Sequence, residues 1–149
     1  MKILKYITLT LLFLTAFSAA GVQAKPVKAQ LYLFGFSASF KDSVVYVTDI
    51  QELKDAWIDN KTEFLLGRDN YSYQLKEYFT EHIQQPDRVC MVFYATSKAK
   101  AEKQLAKLKR KYTPSEKKKK KKSWKPYDIR LLSSSDFQFS TVDMSPEQQ

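Results

Sequence analysis

Three runs of this chain are apolar on both of the faces that an extended backbone presents: Gln30–Phe36 (QLYLFGF), Ser43–Thr48 (SVVYVT) and Arg88–Ala95 (RVCMVFYA). A strand with one wet face alternates polar and apolar side chains, whereas a strand covered on two sides is apolar throughout and rich in aromatic and β-branched residues. Such runs call for a sheet with helices packed on it, and the rest of the chain has to supply them.

The polar stretch Ser37–Asp42 is short enough to make the first two runs a hairpin. Asp49 is followed three residues later by Glu52, as in a helix-capping box, and Ile50, Leu53 and Trp57 recur at helical spacing. A first, short helix is therefore predicted from Asp49 to about Asn60. Glu63–Leu66 reads as a brief extended piece and Gly67 as a turn, with Asp69 or Asn70 capping a second helix to about Gln84. Leu75, Phe79 and Ile83 share one stripe of that helix, with Tyr71 and Tyr78 beside it, and Pro86 closes it. Arg88–Ala95, the most strand-like run, is expected at the centre of the sheet. Thr96 or Ser97 caps a third helix whose seam is Ala101, Leu105, Leu108 and Tyr112 and whose outer face is lysine-rich. Tyr127–Leu132 and Phe137–Val142 complete the strands. The order β-β-α-α-β-α-β-β predicts an α+β fold, a mostly antiparallel sheet of four to five strands with three helices.

The opening of the chain has a different character. Lys2 and Lys5 precede the apolar stretch Ile7–Ala16, and Val22-Gln23-Ala24 places small residues where a secretory signal is cut. Residues 1–24 are expected to be a cleaved signal peptide, leaving one α+β domain over 25–142 and a frayed tail over 143–149. The apolar stretch is shorter than the roughly 20 residues of a membrane span and carries Thr8, Thr10 and Thr15, so no transmembrane segment is expected in the mature chain. The only cysteine, Cys90, is far from the expected cleavage site and has no disulfide partner within the chain, so neither a lipid-anchored start nor a cross-linked scaffold is expected. The expected address is periplasmic or secreted. The formal charge is +9, about +7 once the two signal lysines are removed, a balance that draws a protein toward anionic surfaces.

Chemistry-bearing side chains are sparse. A zinc site needs several converging nitrogen or sulfur ligands, and the chain holds one histidine, His82, and one cysteine, Cys90. His82 reads as a helix-end residue and Cys90 as a small buried hydrophobe, since an apolar strand does not activate a thiol. Gly35 and Gly67 are the only glycines after residue 24, too few for a phosphate-cradling loop. Asp49, Glu52, Asp55 and Asp59 fall three to four apart on the first predicted helix, either as oxygen ligands for a hard cation or as a solvated face. No cofactor is expected. The most unusual local feature is the run Lys117, Lys118, Lys119, Lys120, Lys121 and Lys122, inside a predicted solvated loop over 113–126 and followed by Trp124, Lys125 and Tyr127. Charge beside aromatic rings suits an anionic polymer, a lipid head group or an envelope protein; alternatively Trp124 and Tyr127 simply anchor a solvated loop.

Two tyrosine-bearing strands, a helix, a strand and a helix containing Ala101-Glu102 follow one another in an order that resembles the GIY-YIG nuclease domain. The resemblance implies a metal-dependent phosphodiesterase with Tyr32, Tyr46, Arg68 and Glu102 as counterparts of the family's two tyrosines, arginine and metal-binding glutamate. It is a likeness of order. Leu31-Tyr32-Leu33 and Tyr46-Val47-Thr48 depart from the family's signatures, and Arg68 lies farther from Tyr46 than its spacing allows. Three function classes follow: a non-enzymatic exported domain binding an anionic or protein partner at the cell envelope, a phosphodiesterase, and an assembly protein using an aromatic sheet face with Phe137 and Phe139.

Overall fold

The computed structural model describes residues 25–113 and 126–146; residues 1–24, expected to be a signal peptide, residues 114–125 with the lysine run, and residues 147–149 lie outside the described residues. Strand β1 (Pro26–Ala38) turns through residues 39–43 into β2 (Val44–Thr48), and after Asp49 and Ile50 the chain continues as β3 (Gln51–Asp59). β2 and β3 both run antiparallel to β1, with Ser37 opposite Tyr46 and Leu31 opposite Leu53. β4 (Val89–Ala95) pairs antiparallel with Tyr32–Ala38 of β1. That span overlaps the partners of both β2 and β3, so β4 takes one edge of β1 while β2 and β3 share the other. β5 (Asp128–Leu132) lies parallel to β2.

The fold is thus α+β with a mixed sheet of five strands and, among the described residues, two helices, α1 (Arg68–Glu81) and α2 (Lys98–Tyr112). The sheet is mixed where a mostly antiparallel one is expected, because β4, α2 and β5 form a crossover. α2 carries the chain back to the end of the sheet where β4 began, so the next strand must run parallel to β4 and β2.

Side chains from both faces of the strands are buried, as the apolar runs require. Leu31, Leu33, Leu53 and Val92 pack with Tyr71, Leu75 and Phe79 of α1, together with Leu132, Phe137 and Phe139. Phe34, Phe36, Val45 and Val47 pack on the opposite face, against Leu105, Leu108 and Tyr112 of α2. Ser97 caps α2 by accepting from the Lys100 N–H at 3.4 Å. α1 instead starts from Gly67, whose φ of 66° is left-handed, with no side-chain cap from Asp69 or Asn70. Gly35 lies under α1 with no room for a side chain: a Cβ there would sit 2.7 Å from Leu75 Cδ2 and 3.1 Å from Phe139 Cζ. Gly35→Ala should lower stability by about 1–3 kcal/mol through overpacking, read as a lower urea midpoint at unchanged slope.

Three elements differ from expectation. The first predicted helix, Asp49 to Asn60, is the strand β3. A bulge sets Lys54 and Asp55 opposite Gln30 alone, between the pairs Leu31–Leu53 and Ala29–Ala56. Buried Leu53, Ala56 and Ile58 therefore follow at steps of three and two, and the three-residue step imitates a helix. Arg88–Ala95 gives β4, but at an edge: among the described residues β4 pairs with β1 alone, and Val89 and Met91 are exposed. Residues 137–142 form no strand. Two glutamine side chains stand in for a neighbouring strand there. Gln51 donates to the Phe137 carbonyl at 2.9 Å and accepts from Phe139 N–H at 2.8 Å, and Gln74 does both for Ser140 at 2.9 Å. No described helix is long and apolar enough to cross a membrane.

Candidate functional site

The described chain carries one fully buried cation, Arg88, 1% exposed, just before β4. Its guanidinium reaches back to the β1–β2 hairpin. Nε donates to Ser37 Oγ at 3.2 Å, Nη1 donates to Asp42 Oδ2 and Gln85 Oε1 at 3.0 Å each, and Nη2 donates to the Val44 carbonyl. The same group lies 4.8 Å over the Tyr46 ring and 5.6 Å from that of Phe79. A planar fork with fixed donors suits such a pocket, since each direction meets an acceptor and the faces stack on rings. Arg88 thereby holds the hairpin loop rigid at one end of the sheet.

That end is a distinct pole of the molecule. Tyr112, the last residue of α2, packs on Phe36 near the end of β1 (5.2 Å between centroids) and on Tyr127 just before β5 (5.0 Å). Asp128 donates its N–H to the Ser43 carbonyl of the hairpin loop at 2.9 Å. The two described residues that flank the lysine segment, Thr113 and Pro126, are therefore pinned beside the hairpin loop. Phe40, in the hairpin loop, is 98% exposed. Lys109, Arg110 and Lys111 form the basic last turn of α2. Three described carboxylates at this pole are paired: Asp42 with Arg88, Asp87 with Lys41 and Asp128 with Arg130. Its hydrogen bond to Lys41 holds the Asp87 carboxyl below the usual range.

The expected anion-binding residues Lys117 to Lys122, Trp124 and Lys125 lie outside the described residues. What the structure adds is the place from which they depart and to which they return. Charge is also far more localised than the total suggests. Residues 107–125 hold eleven Lys and Arg against one Glu, while the remainder of the chain after residue 24 holds twelve against fifteen acids.

The residues paired with nuclease roles are not drawn together. Tyr46 faces α1, with its ring against Phe79 at 4.9 Å and its hydroxyl accepting from Arg130 Nη1 at 3.3 Å. Tyr32 is on the opposite face of the sheet, since Tyr46 pairs with Ser37 and alternation turns even-numbered β1 residues away. Glu102 is exposed on α2, which packs on the face opposite α1. No hydrogen bond or ion pair joins any two of Tyr32, Tyr46, Arg68 and Glu102.

Arg68 has a different task. Gly35 donates its N–H to Thr48 Oγ1 at 2.8 Å, toward β2, so its pair with Val92 exchanges no backbone bonds and Val92 turns its own N–H and C=O away from β1. Arg68 Nη2 donates to that carbonyl at 3.0 Å and so blunts the open edge of β4.

Asp49, Glu52, Asp55 and Asp59 share no helix face. Asp49 accepts from Ser134 N–H at 2.9 Å and from its hydroxyl at 3.0 Å, Glu52 accepts from Gln30 at 2.8 Å, and Asp59 accepts from the Lys61 and Thr62 N–H groups of a turn. Among the described residues no three His, Cys, Asp or Glu side chains are grouped to hold a metal ion. His82 caps the C-terminus of α1 and packs on Tyr78 at 5.2 Å. Cys90 directs Sγ at Ser37 Oγ, 3.4 Å away, and burial pushes its thiol pKa up, away from a reactive thiolate. Phe137 and Phe139 are buried against each other rather than displayed.

Sequence reasoning missed Arg88 and Phe40. An arginine at the edge of an apolar run marks a candidate for burial, but three of its four acceptors sit 44 to 51 residues upstream. Compared with known proteins, the chain matches no family model, no curated protein and no solved structure.

Proposed function

We propose that the chain is an exported, non-enzymatic domain that binds an anionic partner at the cell envelope through this basic pole. Export rests on Lys2 and Lys5, the apolar Ile7–Ala16 and the small residues at Val22-Gln23-Ala24. The observation that carries the binding role is the confinement of the excess positive charge to residues 107–125, combined with a fold that holds both flanks of the lysine run at one pole. The rest of the mature chain is slightly acidic, so an anionic surface meets a strong field from one side and weak repulsion from the others. Such a field speeds and orients encounter. Lysines on flexible stems read charge rather than shape, so affinity should fall steeply with salt. The scatter of Tyr32, Tyr46, Arg68 and Glu102 over two faces and an edge favours binding over phosphodiester hydrolysis.

Replacing Lys117 to Lys122 together by glutamine should abolish retention on an anionic matrix at low salt, with the unfolding midpoint unchanged. Undiminished retention of that variant would remove the lysine run from the account.

A further inference from the structure

We infer that the anionic partner is a lipid bilayer and that Phe40 is the residue that enters it; this rests on the reading of the basic pole given above. A phenylalanine ring is a large apolar surface, and Phe40 is 98% exposed to water in a five-residue loop. The loop is tightly held. Lys41 N–H donates to Ser39 Oγ at 3.0 Å, Val44 N–H donates to Asp42 Oδ1 at 2.9 Å, and buried Arg88 grips the other oxygen of Asp42 at 3.0 Å. The ring is thus presented on a stiff base, and little conformational freedom remains to be lost when it is buried by a partner.

Its surroundings fit a membrane interface. Tyr127, 44% exposed and tied to the loop through the Asp128–Ser43 bond, adds an amphipathic ring of the kind that settles at head-group level. Lys109 and Arg110 lie on the last turn of α2, the turn that ends at Tyr112 against Tyr127. Asp42, Asp87 and Asp128, which would otherwise repel anionic head groups, each have a cationic partner. A soluble polyanion would use the cations and leave Phe40 in water; an anionic bilayer uses both.

The test compares protein recovered after export with its Phe40→Ser variant. Each is floated with vesicles of phosphatidylglycerol and phosphatidylcholine, floated with vesicles of phosphatidylcholine alone, and eluted with salt from a sulfated-polysaccharide resin. Because Phe40 contributes nothing to the core, both proteins should share one unfolding midpoint. Wild type should bind the anionic vesicles and not the neutral ones. Phe40→Ser should bind the anionic vesicles at least roughly tenfold more weakly, from the loss of one buried aromatic side chain, and leave the resin at the same salt as wild type. Equal vesicle binding by the two proteins overturns the insertion of Phe40. Retention on the resin with no vesicle binding by either assigns the pole to a soluble polyanion and overturns the bilayer. Failure on both resin and anionic vesicles sinks the basic-pole reading itself.

Discussion

Arg88→Ala is expected to lower folding stability by about 3–5 kcal/mol, from buried acceptors left without a donor together with the space the side chain vacates. The substitution removes a side chain that is 1% exposed and leaves the Val44 carbonyl, Ser37 Oγ and Gln85 Oε1 without their donor, along with a void beneath the rings of Tyr46 and Phe79. Asp42 is less of a burden, because it is partly exposed and water can replace the guanidinium. Arg88→Lys keeps the charge but loses the fork and the stacking, so it should recover less than half of the deficit. Urea unfolding of the three proteins measures this. A loss under about 1 kcal/mol for the alanine variant would show that the hairpin and β4 are held by packing alone.

Phe79→Ala should cost a similar amount, about 3–5 kcal/mol, by opening a cavity between α1 and the sheet. Phe79 is fully buried, with Tyr46 at 4.9 Å, Tyr78 at 5.8 Å and the Arg88 guanidinium at 5.6 Å from its ring. Since Arg88 and Phe79 line the same space, the double variant should lose less than the two single losses combined, by about 0.5–3 kcal/mol. Strict additivity, again from urea midpoints, would mean that the cation and the ring stabilise the fold independently.

The elements that were legible from residue pattern are those whose signals are local. The hairpin of β1 and β2, Leu75 and Phe79 of the α1 stripe with Tyr71 beside them, the cap Ser97 and the seam of α2 each depend on neighbours within a few positions, and all are present, while Ile83 of that stripe falls just past the helix end. β3 was misread for a local reason too, because a bulge breaks the two-residue period that identifies a strand. Phe137–Val142 carries a strand-like composition, yet the partners that straighten it are side chains of Gln51 and Gln74, which no pairing pattern announces. Of the candidate site, the lysine run stood out at once, whereas its setting did not. The polar stretch Ser37–Asp42 puts Phe40 in a loop, but which way its ring turns is set by the tertiary structure.

By itself, then, the sequence determined that a sheet would be buried on both faces, that β1, β2, β4 and β5 would be strands and α1 and α2 helices in outline, and where the excess charge would sit, because hydrophobic period, capping and charge are properties of adjacent residues. Only the tertiary structure decided which strand ends up at an edge, that β5 runs parallel to β2, that Arg88 is buried beneath the hairpin, and that Phe40, Tyr127 and the flanks of the lysine run share one pole. Those outcomes depend on contacts between residues far apart in the chain, whose energies follow from how whole layers pack and carry no trace in local pattern.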